Sequence, residues 1–218
     1  LYEIPTYPID SGTTFLRKVA LSIELLYFKM YVYPYIFAEP ACVQKKIKKL
    51  PEKMIEINNS VEVSTKDIKP KMSDEYTFLF FGNLQPWHGL ECFLQEVEKY
   101  TGSKSLFVKV FSPPTDCYIK LSDKYKNSKK IKFCGKSNSQ TIEMHNSNKT
   151  IGIGGLAYQT RGADYDTSLK NKDYAAMGIP FIYTLPDLSF PNYKYSFCLK
   201  KLSEINLDKI IEWFASIY

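Results

Sequence analysis

The 218-residue chain has no close pair of cysteines, no long apolar run and no Gly-x-Gly-x-x-Gly turn, and each absence removes a class of protein. Its five cysteines, Cys42, Cys92, Cys117, Cys134 and Cys198, are too dispersed for a zinc knuckle or a disulfide framework, which fits a reducing cytoplasm. No stretch approaches the roughly 18 apolar residues of a membrane span, and the first residues do not form a signal-peptide pattern. A soluble or peripheral, cytoplasmic protein is therefore expected. Without a glycine-rich dinucleotide turn after a strand, a nucleotide-dependent oxidoreductase is disfavoured. Concentrated basic charge is missing too. The net charge of +6 is divided evenly between residues 1–72 and 73–218, and the runs Lys45-Lys46-Ile47-Lys48-Lys49 and Lys129-Lys130-Ile131-Lys132 are short and separate. They read as solvated faces, so no nucleic-acid partner is expected.

What the chain does have is apolar and aromatic material in quantity. Hydrophobic residues make up 44%, enough for a sizeable core, and 17 tyrosines with 14 phenylalanines supply aromatic packing or sugar-stacking surface. From residue 76 onward, strand-like segments at 77–81, 106–111, 131–134, 150–153 and 180–183 alternate with helix-like segments at 89–100, 116–125, 140–146 and 168–177. Such an order implies an α/β fold, Rossmann-like, with a parallel sheet and helices on both faces. Ligands then bind at the carboxyl ends of the strands, here Gly82, Gly135, Gly154-Gly155 and Thr184.

Residues 1–72 offer only 1–4 and 54–57 as strands around a mostly helical region, which is less than a domain. Within it, Leu16, Val19, Ala20, Ile23, Leu26, Tyr27 and Met30 recur at helical spacing, with Arg17, Lys18 and Lys29 elsewhere on the helix. A core-facing helix and a membrane-surface helix both have this pattern.

The most informative segment is Ser168-Leu169-Lys170-Asn171-Lys172-Asp173-Tyr174-Ala175-Ala176-Met177-Gly178-Ile179-Pro180-Phe181. Thr167 or Ser168 caps the start of a helix, Gly178 ends it with a left-handed residue, and Pro180 blocks continuation before a short apolar strand. Lys170 and Asp173, three apart, share a face and offer a cation for an anionic group and a carboxylate for a diol, the two handles of a nucleotide sugar.

Asp173-Tyr174-Ala175-Ala176-Met177-Gly178-Ile179-Pro180 resembles the nucleotide-sugar signature of glycosyltransferases with the GT-B fold, in particular the large retaining group called family 4, with Asp173 where glutamate is usual. Phe80-Phe81-Gly82-Asn83-Leu84-Gln85-Pro86-Trp87-His88-Gly89 is similar to the first strand and glycine loop of that family's donor domain. The resemblance covers roughly residues 55–200. It implies that residues 73–218 are a nucleotide-sugar donor-binding domain with a C-terminal helix. Residues 1–72 would be the tail of an acceptor-binding domain and the linker, with Ile57-Asn58-Asn59-Ser60-Val61-Glu62 as the turn before it and Ser60 in place of glycine. On this reading the chain starts partway through the first domain, and roughly a hundred residues of a complete two-domain enzyme are absent.

The resemblance further implies transfer of a sugar, with retention, from a nucleotide sugar to a saccharide or lipid-linked acceptor in cell-surface polysaccharide biosynthesis. Donor-binding residues would be Gly82, Asn83, His88, Gly89, Gly154, Gly155, Arg161, Lys170 and Asp173, with Asp173 on the ribose hydroxyls and Lys170 on phosphate. Asn83 and His88 stand where many members carry arginine and lysine, so two permanent charges are lost. His88 would donate to phosphate, best when protonated. Gly154, Gly155, Arg161 and Gly162 belong to a loop suited to clamping sugar or phosphate.

Asp164-Tyr165-Asp166 spells the metal-binding triplet of the other major glycosyltransferase fold, yet beside a helix start acids also serve as caps. The family's upstream carboxylate falls at Tyr165, with an acid on either side. No metal and no cofactor other than the donor itself is expected, because helix-end amides and Lys170 would stabilise the leaving diphosphate. The rival reading is a non-catalytic nucleotide-sugar-binding module, favoured by the loss of the two loop cations.

Overall fold

The computed structural model describes residues 2–4, 15–27, 30, 36–38, 55–56, 61, 72–137, 147–161, 165, 168–187 and 189–218. In the amino-terminal part, β1 (Tyr2–Ile4), β2 (Ile36–Ala38) and β3 (Ile55–Glu56) form a three-stranded parallel sheet in that order. Helix α1 (Phe15–Tyr27) lies between β1 and β2 in sequence. Strand β2 was not expected from the sequence. Of the apolar stripe of α1, Phe15, Leu16, Val19, Ile23 and Leu26 are exposed.

The second sheet contains β4 (Tyr76–Phe81), β5 (Leu106–Phe111), β6 (Ile131–Gly135), β7 (Thr150–Ile153), β8 (Phe181–Tyr183) and β9 (Ser196–Cys198). Every pairing is parallel and the spatial order is β6-β5-β4-β7-β8-β9. That is the doubly wound order in which the chain first builds outward on one side of β4 and then returns to build on the other. The reversal between β4 and β7 is the topological switch point, where a crevice opens at the carboxyl ends of the strands. Connecting the strands are α2 (Leu90–Lys99), α3 (Asp116–Lys124) and α4 (Leu169–Ala176), and α5 (Leu207–Ser216) follows β9. The helix expected at 140–146 lies outside the described residues, and β9 had no sequence signal.

Alternation along β4 supplies both faces of the sheet. Phe78 and Phe80 join one core with Phe93, Leu94 and Val97 of α2 and Ile210, Ile211 and Phe214 of α5, while Leu79 joins a second with Tyr174, Ile179, Phe181 and Tyr183. Helix α2 buries Leu90, Phe93, Leu94 and Val97, and α5 buries Leu207, Ile210, Ile211 and Phe214. Both repeat the i, i+3, i+4, i+7 spacing of a single apolar stripe. Completely burying a side chain such as Phe93 stabilises by about 1.5–3 kcal/mol, so the two stripes hold their helices firmly on the sheet.

Candidate functional site

The crevice floor is made by the loops leaving β4 and β7. Gly82 follows β4 with φ 120°, a conformation that side chains rarely adopt, and its N–H donates to Phe111 O at 3.0 Å. Leu84 N–H donates to Ser112 Oγ at 3.0 Å, and Thr115 Oγ1 donates to Leu84 O at 2.8 Å, so the neighbouring loop fixes this one. Pro86–His88 form one 3-10 turn, and Gly89, with φ 66°, redirects the chain into α2. A side chain at Gly89 would come within 3.0 Å of the Cβ atoms of Leu156 and Ala157. Leu156 N–H also donates to His88 O at 3.1 Å, which locks the β4 and β7 loops together.

His88 is buried, and its Nδ1 accepts from Gln85 N–H at 3.0 Å. An accepting Nδ1 leaves the ring proton on Nε2, so the neutral imidazole is the form built into this turn. Donation from His88 to a ligand, as the sequence suggests, would then come from Nε2–H. Its ring meets Phe80 edge-on at 5.4 Å between centroids and Tyr158 at 5.7 Å.

Helix α4 supplies the other wall. Ser168 is its N-cap residue by position but makes no side-chain capping bond, Met177 is the C-cap, and Gly178 follows in the left-handed conformation at φ 67°, as its sequence position predicts. Three consecutive polar residues of α4, Lys170, Asn171 and Lys172, are buried. Burying polar groups is costly without compensation. Asn171 finds it by donating to Asp187 Oδ2 at 3.0 Å. Lys170 reaches across the end of β4, with Cε 3.5 Å from where a Cβ on Gly82 would stand, and sets its ammonium 3.9 Å from the Phe80 ring centroid. A desolvated cation over a ring face gains roughly 2 kcal/mol, and a Cβ at residue 82 would stand in ordinary van der Waals contact with the lysine stem. Lys172 Nζ is buried and makes no hydrogen bond among the described residues.

Asp173 stands on the same helix, half buried, and forms no ion pair with Lys170 or Lys172 among the described residues. The ion pairs there are surface ones such as Lys124–Glu91 at 2.7 Å and Lys99–Glu96 at 3.0 Å. Desolvation raises the Asp173 pKa above its ordinary value. A carboxylate held half out of water without a partner is a poor surface ornament and a good acceptor for a ligand hydroxyl.

The structure thus brings Gly82, His88, Gly89, Gly154, Gly155 and Lys170 to the switch point, with Asp173 farther along α4. Gly154 is fixed by contact, since a Cβ there would lie 2.4 Å from Asn171 Oδ1 and 2.8 Å from Ile182 O; at Gly155 it would meet the Tyr158 ring. Asn83 is exposed on the β4 loop, its Oδ1 accepting from Gln85 Nε2 at 3.4 Å. Arg161 is the last residue of the 3-10 turn Tyr158–Arg161; Gly162, Asp164 and Asp166 lie outside the described residues. Among the described residues no cluster of three or more metal-ligating side chains occurs. Asn171, Tyr174 and Asp187, which hold α4 in place, were missed by sequence reasoning. An asparagine flanked by lysines on a helix gives no signal of burial.

No protein-family model matches the sequence, nor does any curated protein. Solved structures do match in fold. A glycosyltransferase from Rickettsia africae ESF-5 superposes over 100% of this chain and 59% of its own, with TM-score 0.65 and 14% identity. TarM superposes over 95% of this chain and 41% of its own, at TM-score 0.65 and 12% identity. The lipopolysaccharide outer core galactosyltransferase WaaB, in apo form, superposes over 84% and 53%, at TM-score 0.59 and 10% identity. The fold is that of the GT-B glycosyltransferases. The chain spans about half the length of these structures, 59%, 41% and 53% respectively.

Proposed function

We propose that the switch-point crevice binds a nucleoside-diphosphate sugar, and that the chain is the donor-binding part of a retaining glycosyltransferase for cell-surface polysaccharide. Residues 1–72 are then the tail of the acceptor-binding domain with its linker, and 73–218 the donor domain. The observation that carries this reading is the pair on α4. A buried lysine is set at the glycine end of β4, and a half-buried carboxylate that has no ion pair among the described residues follows one turn on.

Lysines at positions 170 and 172 lie in the first turn of α4, which holds no acid. Cations at a helix amino terminus oppose its dipole, whereas an anion there is favoured by both dipole and lysine. As the bond between the sugar and the phosphate oxygen breaks, its electron pair passes to that oxygen. Lys170, the α4 amides and Nε2–H of His88 are the chain's means of stabilising it. Asp173 accepts the ribose hydroxyls. No divalent metal is needed on this account. A TarM variant of the same fold was crystallised with UDP, which supports a nucleoside diphosphate as the ligand class.

The acceptor is a saccharide or a lipid-linked saccharide. The exposed apolar stripe of α1, with Arg17 and Lys18 on the same helix, suits peripheral contact with the inner face of a membrane; no described helix is long and apolar enough to cross one. Calorimetric titration with UDP, GDP, ADP and CDP, with EDTA and with added magnesium or manganese, tests the proposal. Binding of one nucleotide that chelator leaves unchanged is expected; binding only with metal overturns metal independence. Replacement of the two family cations by Asn83 and His88 favours a second reading, a binding module without turnover. Donor binding by the complete parent protein with no sugar transfer or donor hydrolysis would select it.

A further inference from the structure

We infer that Tyr174 is a positioning residue for the donor crevice, acting through Lys170; this rests on the donor reading above. The last paired position between β4 and β7 is Leu79 with Gly152. Beyond it β4 continues only against β5, through Phe80–Val110 and Phe81–Phe111, and β7 only against β8, through Ile153–Ile182. The crevice begins where that ladder stops. At this point the Tyr174 hydroxyl lies 2.7 Å from Leu79 O and 3.1 Å from Ile153 O, one carbonyl on each strand. Burial raises the pKa of this hydroxyl, which keeps it a neutral donor.

The ring is fully buried and equally constrained. It lies on Gly152, where a Cβ would come within 2.6 Å of its Cγ, and it packs edge-on against Phe81 at 5.0 Å and parallel to Phe181 at 6.2 Å. Tyr174 therefore bolts α4 to both strands at the mouth of the crevice. One turn toward the amino end of the same helix is Lys170, whose ammonium must cross Gly82 to reach its place over Phe80. Fixing Tyr174 fixes that reach.

Two variants disturb the bolt differently. Tyr174→Phe deletes only the hydroxyl, and Gly152→Ala keeps the hydroxyl but displaces the ring. Each is expected to weaken binding of the nucleoside diphosphate that the parent chain prefers by roughly fivefold to tenfold, with the far-ultraviolet circular dichroism unchanged. Tyr125→Phe, at a buried tyrosine beyond the end of α3, is the control and leaves affinity at the parental value.

The deciding readout is a double-mutant cycle. In a Lys170→Ala background Tyr174→Phe should cause no further loss of affinity, because the residue through which it acts is gone. A merely structural tyrosine would lower the melting temperature and leave that cycle additive. If the parent chain binds none of UDP, GDP, ADP or CDP, the donor reading falls and takes this inference with it. Parental binding with unchanged affinity in Tyr174→Phe, or additive losses in the cycle, overturns this inference alone.

Discussion

Asp173 is the residue at which stability and binding are expected to conflict. Burial raises its folded pKa above the ordinary aspartate value of 3.8, so the folded chain holds this proton more tightly than the unfolded chain does. The sign follows: stability falls as pH climbs from about 3.8 through the raised value, because the folded state then has to ionise a half-buried group. Asp173→Asn removes that loss. Thermal unfolding from pH 3 to 8 should show the ligand-free variant melting higher than the parent at neutral pH, with a flatter pH profile, while titration shows weaker nucleotide binding. A variant that melts lower at neutral pH would mean that the carboxylate has a stabilising partner. Lys170→Ala tests the phosphate side. Losing a hydrogen bond to a charged group costs about 1.5–3 kcal/mol, or roughly tenfold to a hundredfold in affinity, and unchanged affinity in calorimetry would assign Lys170 to a structural role.

At the scale of elements, α4 is placed by glycines as much as by its own side chains. Gly154 leaves room for Asn171, and that asparagine is tied to Asp187, which also accepts from Ser189 N–H at 2.9 Å. Gly154→Ala puts a methyl group within 2.4 Å of Asn171 Oδ1 and 2.8 Å of the Ile182 carbonyl. Overpacking of this kind typically costs about 1–3 kcal/mol, and chemical denaturation should show it as a lower midpoint with an unchanged slope. Gly135→Ala is the contrast: at φ 76° an alanine backbone is strained, but among the described residues no atom lies within 4 Å of the added methyl. Its cost is expected to be about 1–2 kcal/mol, from backbone alone, with nucleotide affinity retained.

Across the whole molecule, what could be read in the sequence was whatever apolar spacing writes clearly. The alternation of strands and helices from β4 to β8 appears in Phe78-Leu79-Phe80-Phe81, in the α2 stripe and in the Gly178–Pro180 stop, and from it follow the parallel sheet and the switch point. Strands β2 and β9 escaped notice because three residues are too few to establish a period of two. The site was half legible. Gly82, Lys170 and Asp173 stood out through their spacing, but the contacts that organise them are tertiary. Tyr174 meets backbone atoms 95 and 21 residues away, and Asn171 meets Asp187 across a helix and a strand. Local pattern carries no trace of such partners, and burial of Asn171 and Lys172 runs against the usual place of polar residues outside.

The measurement that tests the central claim most directly is titration of this chain with UDP, GDP, ADP and CDP, repeated on Lys170→Ala and Asp173→Ala. One of the four should bind one-to-one, raise stability by about 2.7 kcal/mol at a hundredfold its dissociation constant, and lose at least tenfold in affinity in each variant. No binding of any of them at millimolar concentration, or binding that survives both substitutions in folded protein, would contradict the assignment of the donor site to the switch-point crevice.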